Sequence, residues 1–127
     1  PFDMFFSSRA LEYLEDKKQV LEHIHTLLAD GAKGAIITKN SSFGLLRRTK
    51  SSRFQHSGQL NKDSLKTLLE EVGFKNVMVY PVSIRVPLVD RFTTRFAESI
   101  FKTQYTKPLT GSVVEKLAES ILITFYK

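Results

Sequence analysis

The sequence predicts an α/β fold, and three observations carry that prediction. First, Phe2–Lys39 reads as a short apolar run, an amphipathic helix and a second short apolar run. Second, the hydrophobic period changes from helical to alternating again between Asn61 and Val82. Third, the chain closes on a β-prone run from Ile121 to Tyr126. Strand, crossover helix and strand in that order form a βαβ unit, so the first two strands should be parallel.

Phe2–Phe6 (FDMFF) is apolar enough for a strand covered on both faces. From Asp16 to Ala29 the residues Val20, Leu21, Ile24, Leu27 and Leu28 fall on one helical stripe, with Asp16 placed to cap the start and Gly31 to stop the end. Ala35–Thr38 is the second strand. A polar stretch from 40 to 58 follows, rich in Ser, Gly and Asn and carrying Arg47, Arg48, Lys50 and Arg53. A loop of that length is commonly a binding element, a lid or a disordered segment, and the alternative to a substrate-covering segment is a solvated basic loop. In open parallel sheets ligands sit outside the carboxyl ends of the strands, the end from which this loop departs.

The next helix spans Asn61–Val72, with an Asn or Asp cap (Asn61 or Asp63) before Leu65, Leu68, Leu69 and Val72 on one face and Gly73 as its terminator. Lys75–Val82 alternates as a strand ending at Pro81. Leu88, Phe92, Phe96 and Ile100 recur every four residues in a further helix from Pro87 to about Thr103. Val113–Glu119 reads as a short helix before the last strand.

Composition sets outer bounds. The 127 residues suffice for one domain, and 42% hydrophobic content with 10 Phe is ample for a core. There is no Cys, hence no disulfide framework and no Cys-based zinc site. No apolar run approaches the roughly 18–20 residues of a membrane span, and a cytoplasmic location is expected. The formal charge of +6 favours acidic partners in general. A nucleic-acid surface rests on that charge alone and is the weakest reading.

Two blocks of residues resemble the Rossmann-like class I methyltransferases that use S-adenosylmethionine. The first comprises Phe2, Asp3, Phe6, Ser7, Leu11, Glu12, Tyr13, Leu14, Leu27, Leu28, Gly31, Gly34 and Ile37, similar to that family's strand, "LxHL" segment and helix running into "LLxxGGxxxI". The second runs from His56 to Asn61 and on through Ser64–Phe74, similar to "HxxxxSxxxLxxLLxxxGF" followed by a strand. The resemblance implies a partial Rossmann-like methyltransferase sheet: two parallel strands plus a C-terminal antiparallel pair, with flanking helices. Residues 1–127 would form a single partial domain, the C-terminal half of a methyltransferase domain. The 40–58 loop and an insertion over 83–120 would lie on the substrate side. The family's Gly-rich turn and acidic residue have no counterpart before Phe2. S-adenosylmethionine is therefore expected as cofactor only together with the missing N-terminal half.

By the same resemblance Phe6, Ser7, Ser8 and Leu11 lie against the methionine portion of the cofactor; the plain alternative is a capped strand-to-helix loop. Glu12 and Tyr13 occupy positions that face substrate in the family, and either could orient a nucleophile; a surface Glu and a half-buried Tyr are the alternative. His56 is the candidate base, or a loop anchor. Asn40, Phe43, Arg47 and Phe54 are the candidate contacts to a small-molecule, lipid-like or sugar acceptor. His23 and His25 are two apart on a helix and diverge, so no metal is expected. The Leu88–Lys102 stripe packs on its own sheet or contacts a membrane surface peripherally. A second reading makes the chain an inactive binding or assembly module. The apolar edge of its first strand would then pair with a partner chain or a second copy as a homodimer.

Overall fold

The structure is a computed structural model, and it describes residues 1–43, 58–84 and 116–127. Four strands form one sheet: β1 (Phe2–Ser8), β2 (Leu28–Lys39), β3 (Lys75–Ile84) and β4 (Ala118–Tyr126), in spatial order β1-β2-β4-β3. β1 and β2 are parallel, and β4 runs antiparallel to both β2 and β3. The predicted parallel pair and C-terminal antiparallel pair are therefore both present. Among the described residues, helix α1 (Lys17–Leu27) lies between β1 and β2 and helix α2 (Lys62–Val72) precedes β3.

The helices start and stop for identifiable reasons. Asp16 accepts from the Gln19 amide at 2.9 Å and Asn61 from the Ser64 amide at 2.8 Å, satisfying amides that the first turn leaves without partners. Gly73 follows α2 at φ 109°, and the Phe74 amide returns to the Leu69 carbonyl at 3.0 Å. Phe74 then packs against Phe125, ring centroids 4.4 Å apart.

The core is read most easily along register rows. Ser7, Ile36, Ile123 and Val79 stand side by side across the four strands, as do Phe5, Gly34 and Phe125 across three. Ile36, Ile123, Val79 and Phe125 are buried and join Leu21 of α1 and Leu65 and Leu69 of α2 in one apolar cluster. Burial of each such side chain contributes about 1.5–3 kcal/mol. Gly34 is required by this arrangement: a Cβ placed there would collide with the Cε2–Cζ edge of the Phe125 ring.

Four expectations are corrected. β1 stands at the edge of the sheet, as the assembly reading expects, but it is not covered on both faces: Phe2, Met4 and Phe6, alternate residues on one face, are 63%, 70% and 62% exposed. α1 ends at Leu27 instead of Ala29, because Leu28 is taken into β2, where it pairs with Phe2 and its carbonyl accepts from Lys127 Nζ at 2.6 Å. Gly31 therefore does not stop the helix. It lies within β2 at φ 78°, its amide bonded to the Lys127 carbonyl, where the β1–β2 register slips. Finally, Ala118 and Glu119 belong to β4 and not to a helix ending at Glu119, since Asn40 donates to both of their carbonyls.

The strands also take more chain than expected at the start and end of the 83–120 segment, as β3 reaches Ile84 and β4 begins at Ala118. The helix expected at Pro87–Thr103 and residues 113–115 lie outside the described residues. Among those described, no helix is long and apolar enough to cross a membrane.

Candidate functional site

Along the inward row of β2 the residues are Ala32, Gly34, Ile36, Thr38 and Asn40: apolar until the carboxyl end, then polar. This change marks the site. The described polar side chains that are buried are Glu12, Thr38, Asn40, Glu119 and Ser120. The first follows β1, Thr38 and Asn40 lie at and just past the end of β2, and the last two lie at the start of β4. All five therefore gather at one end of the sheet. Buried polar groups need partners, since an unpaired one costs about 1–3 kcal/mol, so their concentration at one end calls for a network.

That network centres on Glu12, in the 3₁₀ turn Leu11–Tyr13 directly after β1. The residue is 2% exposed. Its Oε2 accepts from Thr38 Oγ1 at 3.2 Å and from the Lys39 amide at 3.1 Å. Its Oε1 accepts no hydrogen bond and faces Arg9 Nε at 3.7 Å. Arg9 in turn donates from its guanidinium to Ser120 Oγ at 3.4 Å and from its amide to the Ile37 carbonyl at 2.8 Å. Its backbone is left-handed, φ 59°, which turns the chain away from β1.

Asn40 performs a similar service one strand over. Its Nδ2 donates to the Ala118 carbonyl at 3.0 Å, and its Oδ1 accepts from the Ser42 amide at 3.1 Å. Asn40 also bridges to Leu60, which holds the two described ends of the 40–58 stretch side by side. The described residues on either side of positions 44–57 thus meet at the polar end of the sheet.

Of the residues singled out from sequence, Ser7, Ser8, Leu11, Glu12, Tyr13, Asn40 and Phe43 fall at this end. Their roles differ. Ser8 is exposed, Ser7 half-buried, and the backbone turns immediately after them. Leu11 is buried in the core, so its side chain anchors the loop. Phe6 is exposed on the outward row of β1. Tyr13 is exposed and Phe43 half-buried. The Glu12 carboxylate points into the network rather than outward. Arg47, Phe54 and His56 lie outside the described residues. Arg9, Thr38, Glu119 and Ser120 were missed, although polar residues interrupting an apolar period-2 row are a legible sign. His25 packs edge-on against Phe74 at 4.9 Å, and among the described residues no three acidic or imidazole groups come together as a metal site.

No family model matches the sequence, and no curated protein matches it either. Solved structures do. A S-adenosylmethionine-dependent methyltransferase from Thermotoga maritima superposes with TM-score 0.66 at 13% identity, covering 99% of this chain and 56% of that one. A S-adenosylmethionine-dependent methyltransferase from Archaeoglobus fulgidus gives 0.60 at 16% identity, over 99% of this chain and 59% of its own. The fold is that of a partial class I methyltransferase. Phosphoethanolamine N-methyltransferase 2 of Haemonchus contortus, in complex with phosphomonomethylethanolamine and S-adenosylhomocysteine, matches at 0.59 and 16% identity over 99% of this chain and 33% of its own. The chain thus spans between a third and three fifths of the methyltransferases it is similar to.

Proposed function

We propose that this chain is the part of a S-adenosylmethionine-dependent methyltransferase domain that closes the methionine side of the cofactor site and carries the acceptor-facing loop. The observation that supports this best is the gathering of every described buried polar side chain at the carboxyl end of the parallel pair. That is where open α/β sheets bind ligands. The resemblance of the sequence blocks and the methyltransferase fold agree with it.

The residues fit a cofactor with a charged amino-acid end. The loop after β1 offers the exposed Ser8, the half-buried Ser7 and backbone brought into a tight turn at Arg9. S-adenosylmethionine, when bound, supplies an electrophilic methyl group. The contribution of this chain is placement: Ser7 and Ser8 hold the methionine end, while Tyr13, Phe43 and the 40–58 stretch bound the acceptor. Placement alone can contribute about 7–11 kcal/mol to such a displacement. The acceptor is a small molecule, lipid-like compound or sugar, and His56 is the group assigned to remove a proton where the acceptor carries one. The remaining cofactor contacts come from an amino-terminal half-domain.

Isothermal titration of the full-length protein with S-adenosylmethionine and S-adenosylhomocysteine tests this. Saturable binding, weakened by Ser8→Tyr, is expected; absence of heat with either ligand would remove the proposal.

A second reading is favoured by one observation, the exposed Phe2, Met4 and Phe6 on edge strand β1. Such an edge is a template for pairing with another strand. Here the strand joins an amino-terminal half-domain or a second copy, and the chain serves assembly without catalysis. Sedimentation of the 127-residue chain decides: a monomer at high concentration counts against self-pairing.

A further inference from the structure

We infer that Arg9 and Glu12 form a positioning pair that sets the shape of the loop after β1, so that cofactor affinity depends on two side chains that do not touch the cofactor. The inference rests on the methyltransferase reading above and deepens it.

Three observations converge. A carboxylate as buried as that of Glu12 needs compensation, because removing an ion from water is costly unless charge and hydrogen bonds are both matched. Its Oε2 has two donors, whereas among the described residues Oε1 faces the Arg9 guanidinium alone, 3.7 Å away and too far for a hydrogen bond. Arg9 is also the residue whose backbone makes the turn, at a positive φ that a side-chain-bearing residue keeps only when its surroundings hold it there. It is held by the Ile37 carbonyl on β2, Ser120 on β4 and the Glu12 carboxylate. One arginine therefore ties β1, the 3₁₀ turn, β2 and β4 together over the four residues Ser8–Leu11. Loss of the Glu12 charge releases the guanidinium and, with it, the loop.

Glu12→Gln is the informative variant. Its amide oxygen still accepts from Thr38 and the Lys39 amide, so the turn stays anchored while the charge on Arg9's partner is gone. In the full-length protein we expect Glu12→Gln and Arg9→Ala each to weaken S-adenosylmethionine binding by about 5- to 20-fold, with the double variant no weaker than either single one, as for one coupled unit. Arg9→Lys should recover part of the loss, and melting temperatures should not follow the order of affinities. Nitrogen relaxation of the Arg9 Nε–H group should show a restrained side chain in the wild type and a mobile one in Glu12→Gln. Affinities within twofold of wild type, or multiplicative effects in the double variant, would overturn the inference while leaving the methyltransferase reading intact. If the wild type binds no cofactor, that reading fails and the coupling to affinity fails with it; an Arg9 Nε–H as mobile in the wild type as an unpaired arginine would dispose of the pair itself.

Discussion

At the scale of single residues, the fold depends on a glycine and an asparagine that no propensity scale would rank highly. Gly34 has the Phe125 ring laid across the space where a side chain would start, and that ring also meets Phe74. Gly34→Ala must displace the ring or the strand, and overpacking of this kind costs about 1–3 kcal/mol. Urea unfolding should show a lowered midpoint with an unchanged slope; an unaltered midpoint would mean the ring has room to move. Asn40 is buried with both ends of its amide engaged, to the Ala118 carbonyl and the Ser42 amide. Asn40→Ala leaves a buried carbonyl and an amide without those partners. It should cost about 1–3 kcal/mol, and faster hydrogen exchange at Ser42 than in the wild type is the specific sign.

At the scale of elements, the caps were legible and the junctions were not. Asp16, Asn61 and Gly73 act where their side chains or conformational freedom predict, because capping is decided within four residues of sequence. Asn61→Ala should therefore cost about 1 kcal/mol, read as a lower unfolding midpoint, and the same deletion at Ser64 should cost less, since there the amide is the donor. By contrast, the end of α1 is set by partners far along the chain. Leu28 is drawn into β2 by Phe2 and Lys127, and the same carboxyl-terminal lysine bonds Gly31. Ala118 and Glu119 were likewise moved from helix to strand by Asn40, 78 and 79 positions away in sequence. Local periodicity contains no trace of such contacts. The candidate site divides the same way: the loop after β1 was visible as a motif, whereas bringing Thr38 to it required the β1–β2 pairing and bringing Ser120 to it the β2–β4 pairing. β1 carries its own test. Met4→Lys places a charge on an exposed edge strand, so stability should stay within about 0.5 kcal/mol. On the assembly reading, self-association measured by sedimentation should fall with this variant; a large stability loss would show that Met4 is covered.

At the scale of the whole molecule, the sheet has two unlike ends. One end, where β1 and β2 finish and β4 begins, holds the buried carboxylate, amide and hydroxyls. The other holds Gly31, Lys75 and the Lys127 tether, with Lys127 Nζ bonded to the Leu28 carbonyl and 3.9 Å from Asp30. An order β1-β2-β4-β3 with one parallel pair accounts for this polarity, since parallel strands put both of their carboxyl ends on the same side. Ligand binding is proposed at the first end. Amide chemical-shift mapping of the full-length protein as S-adenosylmethionine is added tests this directly. Shifts should concentrate at Ser7–Tyr13 and Thr38–Phe43, with Gly31, Lys75 and Lys127 unmoved. Shifts centred on Gly31 and Lys127, or none within this chain at saturating ligand, would contradict it.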